Sequence, residues 1–321
     1  MTYSNKRWLA GVGAALAMMG SAQAADKNDY PQRPIQLVVG YGAGGGTDVC
    51  FRALAVSASK SLGQNIVIEN KPGAGSSLSI GYIARQAPDG YNVAALATGA
   101  VLNQFMGTVN YDVMTDLQPI AMVAQYQVGL LVRADSPYKT LDDVIKQGKL
   151  ADKPFAYSTA GVGTPQHLTM DRLGEKVGAK WVHAPYKSGP EAIMALLRGD
   201  VDLMAQTAEW VPYVRDGRLR LLSVFTPERV PAFPDAPTLI EAGYDLSAPS
   251  ILGVVGPKGM APEVVEKVQN AFKSAIDTDE FRRCADQFGL KTDFMDAKTF
   301  TAYIKDTAEE WAPIVKTLAK Q

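Results

Sequence analysis

Short runs of apolar, β-branched residues alternate along the chain with longer segments whose apolar positions recur at helical spacing. Glycine- and proline-containing turns separate these segments. The N-terminal part therefore predicts a strand at 35–39, a helix from Thr47 to about 63, a strand at 65–69, a helix to about 87 and a strand at 92–97. This β-α-β-α-β order predicts a parallel sheet with helices on both faces.

The middle of the chain repeats the same order, and the C-terminal part ends in two amphipathic helices. The pattern predicts two similar α/β units and a helical tail. The predicted strands lie at 128–132, 155–158, 181–183, 201–205, 219–225 and 251–255, and the predicted helices at 141–147, 166–177, 190–198, 262–278 and 297–319.

Composition excludes several classes of protein. The chain has 321 residues, 47% of them hydrophobic, and 32 basic against 33 acidic residues, which gives a net charge of −1. Nucleic-acid-binding domains usually carry a basic stripe, and disordered chains are poor in apolar residues. The balance of charge and apolar residues argues against both.

The first residues have the pattern of a secretory signal. Lys6 and Arg7 precede an apolar stretch at 8–20, and small residues at 21–25 end in an A-x-A site. Thirteen apolar residues are too few to span a bilayer, which needs about 20. We expect a cleaved signal peptide at 1–24 and an exported, soluble protein; an N-terminal membrane anchor is the alternative.

The chain contains two cysteines, Cys50 and Cys284, and two histidines. In an oxidising compartment the cysteines either form a disulfide or remain two separate buried thiols, and their spacing does not decide between these. No Cys/His spacing typical of a zinc site occurs, so we expect no metal.

A glycine-rich loop at 41–48 joins the first strand to the first helix. Its glycines let the backbone approach a ligand closely, and the free N–H groups at a helix start favour an anion. Thr47 or Gly46 would cap the helix and Asp48 would lie in its first turn. The loop lacks both G-x-G-x-x-G and a P-loop lysine, so a carboxylate fits better than a nucleotide. A tight turn that binds nothing is the alternative.

A second loop of this kind lies at 158–167. Thr164 is the predicted N-cap with Pro165 at the first helical position, and Ser158 and Thr159 add hydroxyl groups. His167 lies in the first turn without a nearby nucleophile, which favours a structural hydrogen-bonding role over catalysis. His183 belongs to a predicted strand and is expected in the core or at its rim. No G-x-S-x-G or H-E-x-x-H occurs, which lowers the odds of an enzyme.

Seven fragments, in this order, resemble the Bug/TctC family, the periplasmic solute receptors of tripartite tricarboxylate transporters. They are GYGAGGGTD (40–48), VIENKPGAGSS (67–77), APDGY (87–91), GVGTPQHL (161–168), HAPYKSGPEA (183–192), GDVDLM (199–204) and FPDAPTLIEAGY (233–244). The resemblance implies an α/β, two-domain type II periplasmic-binding-protein fold whose chain crosses twice between domains. Domain 1 would comprise 25–126 and 250–321, and domain 2 would comprise 127–249.

The resemblance also implies that both loops hold a small organic carboxylate between the domains, with polar residues after two further strands completing the site. The expected ligand-binding residues are Tyr41, Ala43, Gly44, Gly45, Gly46, Thr47, Asp48, Thr98, Asn103, Ser158, Thr159, Gly163, Thr164, His167, Gln206 and Thr207.

The chain departs from the family pattern at two places. The family commonly has prolines where Gly40 and Gly42 stand, and an acidic residue and an asparagine where Gln206 and Thr207 stand. An acidic residue there would receive an ammonium group, so its absence argues against an amino acid ligand. Neutral groups suit a hydroxyl, a second carboxylate, or an aromatic ring near Tyr41, Phe105 and Trp210.

The expected function is that of a monomeric periplasmic receptor. It would capture a di- or tricarboxylate or an aromatic acid, without a cofactor, and deliver it to the membrane permease of a tripartite tricarboxylate-type transporter or, as a variant, take part in signalling. We expect neither nucleic acid as a partner nor catalysis. The alternative is a periplasmic hydrolase that uses the same cleft.

Overall fold

The computed structural model describes residues 30–107, 109–150 and 155–318. The predicted signal peptide at 1–24 lies outside the described residues. No helix in the described part of the chain is long and apolar enough to cross a membrane.

The first of two sheets has six strands in the order β11-β4-β10-β3-β1-β2. The strands β1, β2 and β3 pair in parallel, as predicted, whereas β10 runs antiparallel to β3 and β4, and β11 antiparallel to β4. Within this sheet, parallel order therefore holds only for the strands of the N-terminal part. The six strands are β1 (Ile35–Val39), β2 (Ile66–Asn70), β3 (Asn92–Ala97), β4 (Leu117–Gln125), β10 (Leu252–Pro257) and β11 (Lys291–Asp296).

The second sheet has five strands in the order β7-β6-β8-β5-β9. The strand β6 is parallel to β7 and β8, and β5 is antiparallel to β8 and β9. These strands are β5 (Val128–Arg133), β6 (Phe155–Thr159), β7 (Trp181–Pro185), β8 (Leu203–Thr207) and β9 (Leu219–Val224).

Helices cover both faces of each sheet. On the first sheet they are α1 (Gly46–Leu62), α2 (Ser77–Ile83), α3 (Thr98–Asn103), α4 (Val113–Asp116), α9 (Pro262–Ala275), α10 (Asp279–Phe288) and α11 (Ala297–Leu318). On the second they are α5 (Leu141–Leu150), α6 (Pro165–Val177), α7 (Gly189–Arg198) and α8 (Val211–Arg215). The apolar core of each sheet is accordingly split into two layers, one on each face.

The chain passes between the sheets twice. The first passage is short, from β4 through Tyr126 and Gln127 to β5. The second follows β9: the Ala248 N–H donates to Phe225 O in the second half, while the Ile251 N–H donates to Thr98 Oγ1 in the first. The two passages touch, because the Tyr126 N–H donates to Ser250 Oγ at 2.8 Å.

A disulfide joins Cys50 in α1 to Cys284 in α10, across 234 positions of sequence. It fixes a C-terminal helix against the first helix after the glycine-rich loop. Both cysteines are buried among apolar side chains of the first core layer, including Phe51, Phe281 and Phe288.

We expect the double variant Cys50→Ala/Cys284→Ala to lose about 2–4 kcal/mol of unfolding free energy, because the bridge restricts a long loop in the unfolded chain. Urea unfolding measures the loss. Dithiothreitol should lower the midpoint of the unmodified protein and leave that of the double variant unchanged. An unmodified protein that unfolds at the same urea concentration with and without reductant would contradict this.

Candidate functional site

Four strands end at the same region between the sheets. The strands β1 and β3 of the first half lead into α1 and α3, and β6 leads into α6 in the second half. The fourth strand, β8, leads into a short helical turn at Ala208–Trp210. Ligands of α/β folds bind at the carboxyl ends of parallel strands, where such loops meet.

A cavity of about 40 Å³ lies between these strand ends. It has room for a few water molecules. Both halves of the chain and both passages between them contribute to its wall: Tyr41, Gly45, Thr47, Ala97, Thr98, Gly99, Tyr126, Val128, Ala160, Pro165, Gln166, Ser188, Gly189, Gln206, Thr207, Glu209, Pro249, Ser250 and Ile251.

A second cavity of about 390 Å³ shares Tyr41 and Ala160 with the inner one. Its wall is the loop at 72–75 of the first half, the loop at 160–162 of the second, and residues 185–187. The two halves are in close contact here. A Cβ at Gly75 would lie 3.1 Å from Val162 O, and one at Gly163 would lie 1.7 Å from Asn103 Oδ1.

The first loop differs in detail from its prediction. The N-cap of α1 is Gly45, and neither Thr47 nor Gly46 caps the helix. Asp48 lies in the first turn, as predicted, where its carboxylate accepts hydrogen bonds from Gly44 N and from the Arg52 and Asn70 side chains. Burial alone would raise the pKa of Asp48, but these hydrogen bonds and the Arg52 charge hold that pKa below its usual value.

The start of α1 is capped by a carboxylate from the other half of the molecule. Glu209 Oε1 accepts a hydrogen bond from the Gly46 N–H at 2.6 Å, and Glu209 Oε2 accepts one from Gln206 Nε2 at 2.9 Å. Gln206 in turn accepts from Gln166 Nε2. Sequence reasoning missed Glu209, which fills the position expected for a ligand carboxylate.

Burial dominates the ionisation of Glu209. The residue is 9% exposed, and the loss of water raises its pKa to about 7, although the hydrogen bonds from Gly46 and Gln206 act in the opposite direction. The described residues that line the inner cavity include no lysine, arginine or histidine. In the described part of the chain, the hydrogen-bond donors to the Glu209 carboxylate are the Gly46 amide at the start of α1 and the neutral Gln206 side chain.

The second loop is held mainly by its own hydrogen bonds. Thr164 is the N-cap of α6 and Pro165 the first helical residue, as predicted. The Thr164 hydroxyl, however, donates to Gly161 O rather than accepting from the helix. The Ser158 hydroxyl donates to Ala192 O, so it anchors α7.

The two histidines lie behind this loop. His167 Nδ1 accepts from the Gly163 N–H at 3.1 Å, and His167 Nε2 lies 3.2 Å from Asp171 Oδ2. The rings of His167 and His183 stack with centroids 3.9 Å apart. Burial lowers both histidine pKa values, that of His183 to about 3, so both rings are neutral near pH 7. His167 thus supports the loop structurally.

The structure brings some of the predicted site residues to the inner cavity and leaves others around it. Tyr41, Gly45, Thr47, Thr98, Gln206 and Thr207 line the wall. The remaining predicted residues are absent from that wall. Most lie in the same loops and helix starts, whereas Asn103 ends α3, and Ser158 and Thr159 end β6. The absent residues are Ala43, Gly44, Gly46, Asp48, Asn103, Ser158, Thr159, Gly163, Thr164 and His167.

The expected aromatic surroundings are only partly present. Tyr41 lines both cavities. Trp210 is instead buried against Phe233, where its Nε1 donates to Gln206 O. Phe105 packs beside Leu102 and Trp311, in an apolar cluster away from the cavities. The prediction of a ring-binding pocket between these three side chains is therefore wrong.

The start of α7 forms a further part of the inner cavity wall, which the sequence analysis did not predict. Ser188 is its N-cap, with the hydroxyl accepting from the Glu191 N–H, and Gly189 lies against Glu209. The fragment around 183–192 carried the signal, a serine and a glycine before a proline-started helix. Within the described residues, no three His, Cys, Asp or Glu side chains are grouped so as to hold a metal ion.

Comparison with known proteins identifies the fold. A solved structure of the periplasmic binding protein BugD is 29% identical, with a TM-score of 0.83 over 90% of this chain and 98% of its own. MatC from Rhodopseudomonas palustris, solved with bound malate, is 26% identical, with a TM-score of 0.83 over 89% of this chain and 100% of its own. The two mixed sheets thus form the two-domain type II periplasmic-binding-protein fold expected from the resemblance.

The sequence comparisons agree. A protein encoded in the gbd 5′ region of Cupriavidus necator is 40% identical over 96% of this chain and 95% of its own. The family model described as the tripartite tricarboxylate transporter family receptor, TctC, matches residues 50–319. The chain belongs to the TctC family of periplasmic solute-binding proteins.

Proposed function

We propose that this protein captures a small organic carboxylate between its two halves and delivers it, as a monomer, to the membrane components of a tripartite tricarboxylate-type transporter. The observation that carries the proposal is the convergence of the starts of α1, α6 and α7 on one polar cavity. Free N–H groups and the positive dipole end at helix starts favour an anion. The malate bound to MatC supports this class of ligand.

The mature protein, on this proposal, is exported by the signal peptide at 1–24 and has domains at 25–126 with 250–321 and at 127–249. The hinge would lie where Tyr126 and Ser250 are hydrogen-bonded. The inner cavity has room for only a few water molecules, which is too little for a four-carbon diacid. On this proposal the halves therefore separate to admit the ligand. Closure around it then supplies contacts from both sides.

Affinity can arise without an arginine in the wall. Hydrogen bonds to a charged group contribute about 1.5–3 kcal/mol each. Association opposes binding by about 4–15 kcal/mol, and micromolar affinity requires about −8 kcal/mol. The amides of a single loop fall short, whereas amides and hydroxyls from both halves acting on one ligand are sufficient.

Thermal shifts against a carboxylate panel that includes malate, adipate and benzoate test the proposal, together with chromatographic analysis of each acid after incubation. A receptor is stabilised by at least one acid and leaves it chemically unchanged. Turnover by pure protein would favour the hydrolase, and the absence of any stabilisation across the panel and across pH would overturn the proposal.

We expect Gly45→Asp to abolish carboxylate binding while the protein remains folded. A Cβ at this position would lie 3.3 Å from Glu209 Oε1, so the new carboxylate adds a negative charge at the start of α1. Gly45→Ala is the matched control for the added Cβ alone. Isothermal titration with the acid found in the panel measures both, and equal affinity of the two variants would contradict a charge effect.

A second variant tests closure without touching the cavity. Leu168 of α6 is buried against Trp311 and Val315 of α11 and Leu102 of α3, so it packs across the two halves. Truncating a buried leucine costs about 2–5 kcal/mol. If even part of that packing exists only in the closed form, Leu168→Ala weakens ligand binding by roughly ten- to a hundredfold.

Leu173→Ala, on the same helix, is the control for this effect. Leu173 is equally buried but packs within the second half, so its truncation should destabilise folding without changing ligand affinity. Urea unfolding and titration calorimetry on both variants separate the two effects. Equal losses of affinity in the two variants would show that Leu168 has no special role in closure.

A further inference from the structure

The cleft contains a carboxylate of its own, and the surrounding backbone is shaped to admit it. A Cβ at Gly189 would lie 1.4 Å from Glu209 Oε2, and Cβ atoms at Gly45 and Gly46 would each lie 3.3 Å from Glu209 Oε1. Three glycines from both halves therefore enclose this carboxylate. These glycines, together with the hydrogen bonds from Gly46 and Gln206, form a preorganised carboxylate site at the start of α1.

Among the residues that the structure describes, no cationic side chain pairs with Glu209. Its titratable neighbours on the cavity wall are Tyr41 and Tyr126, whose pKa values are raised by burial and by the Glu209 charge. Asp48, in the first turn of α1, is paired with Arg52. On α7, Glu191 is exposed, and α10 presents Phe288 to Gly46 while its Arg283 and Asp286 are exposed.

Resting on the proposed function, we propose that Glu209 is a tethered competitor for the carboxylate position, and that a ligand carboxylate binds in the cleft together with one proton that neutralises Glu209. Two carboxylates in one poorly hydrated cavity cannot both be ionised at low free-energy cost. The proton is taken from solvent and bound to a Glu209 oxygen, which becomes a hydrogen-bond donor. Gly46 N–H is then free to donate a hydrogen bond to the ligand carboxylate or to the unprotonated oxygen of the neutral Glu209 carboxyl group.

The direction of the pH dependence follows from this scheme. The pKa of Glu209 in the closed form is about 7, above the ordinary value of 4.5, so this form holds a proton more readily than the open, hydrated form. The stabilisation of the closed form is therefore complete below pH 4.5 and is lost as the pH rises through about 7. A bound anion raises the pKa of Glu209 further, so the stabilisation of the closed form persists to higher pH.

Titration calorimetry of the wild-type protein with malate and adipate, between about pH 6 and about pH 8, tests the proposal, since both acids stay largely dianionic there. We expect the dissociation constant to rise about tenfold across this range. Repeating the titration at about pH 7.5 in two buffers of different ionisation enthalpy should show net proton uptake on ligand binding. This part requires no variant.

The isosteric variant Glu209→Gln reproduces the neutral side chain. It should bind the same acids about tenfold more tightly than the wild type at about pH 8, and its affinity should not change with pH. Glu191 is an exposed carboxylate outside the cavity wall, so the control variant Glu191→Gln should retain the wild-type pH profile. Tight binding by Glu209→Gln where the wild type shows none would also support the proposal.

The remaining outcomes overturn it in distinguishable ways. A flat wild-type profile without proton uptake, or identical affinities of wild type and Glu209→Gln, removes the competitor role and leaves the receptor function intact. Loss of binding in a folded Glu209→Gln variant would show that the ionised Glu209 carboxylate accepts a hydrogen bond from the ligand, which contradicts the competitor role. Absence of binding by both proteins, at every pH and with the whole carboxylate panel, would overturn the proposed function as well.

Discussion

The hydrogen bond from Gly46 N–H to the Glu209 carboxylate is the central polar contact between the two halves. It joins the first turn of α1, in one half, to the turn after β8, in the other. Helix-start amides without partners are unfavourable when buried, and a buried carboxylate without partners is worse. Each group supplies what the other lacks, so neither half is complete at this surface until the two are together.

The rest of the cleft is arranged around that contact. Gly189 has no side chain because Glu209 occupies the space, and Gln206 links the carboxylate to Gln166 of α6. On one side the disulfide holds α10 against α1, and on the other α11 packs on Leu168 across the halves. If the halves separate as proposed, the polar contacts at the centre and the apolar contacts at the edge break together.

Sequence patterns predicted those parts of the structure whose signal is local. The two glycine-rich loops and the Thr164–Pro165 helix start are encoded in a few consecutive residues, and so are most strands. The pattern missed β4, α10 and β11, and it could not predict that β10 runs antiparallel to β3. Those features depend on which distant segments pair. Glu209 was missed for the same reason, since it caps a helix 163 positions away.

The neutral pair Gln206–Thr207 shows that a local argument about charge is incomplete. Its lack of an acidic group argued against a ligand ammonium, yet Gln206 donates to a carboxylate only three positions further along the chain. The negative charge of the cleft is therefore not absent but displaced, onto the start of α1. There it meets the amide most suited to an anion, so the ionisation state of one side chain decides whether the cleft presents an acceptor or a donor to whatever enters it.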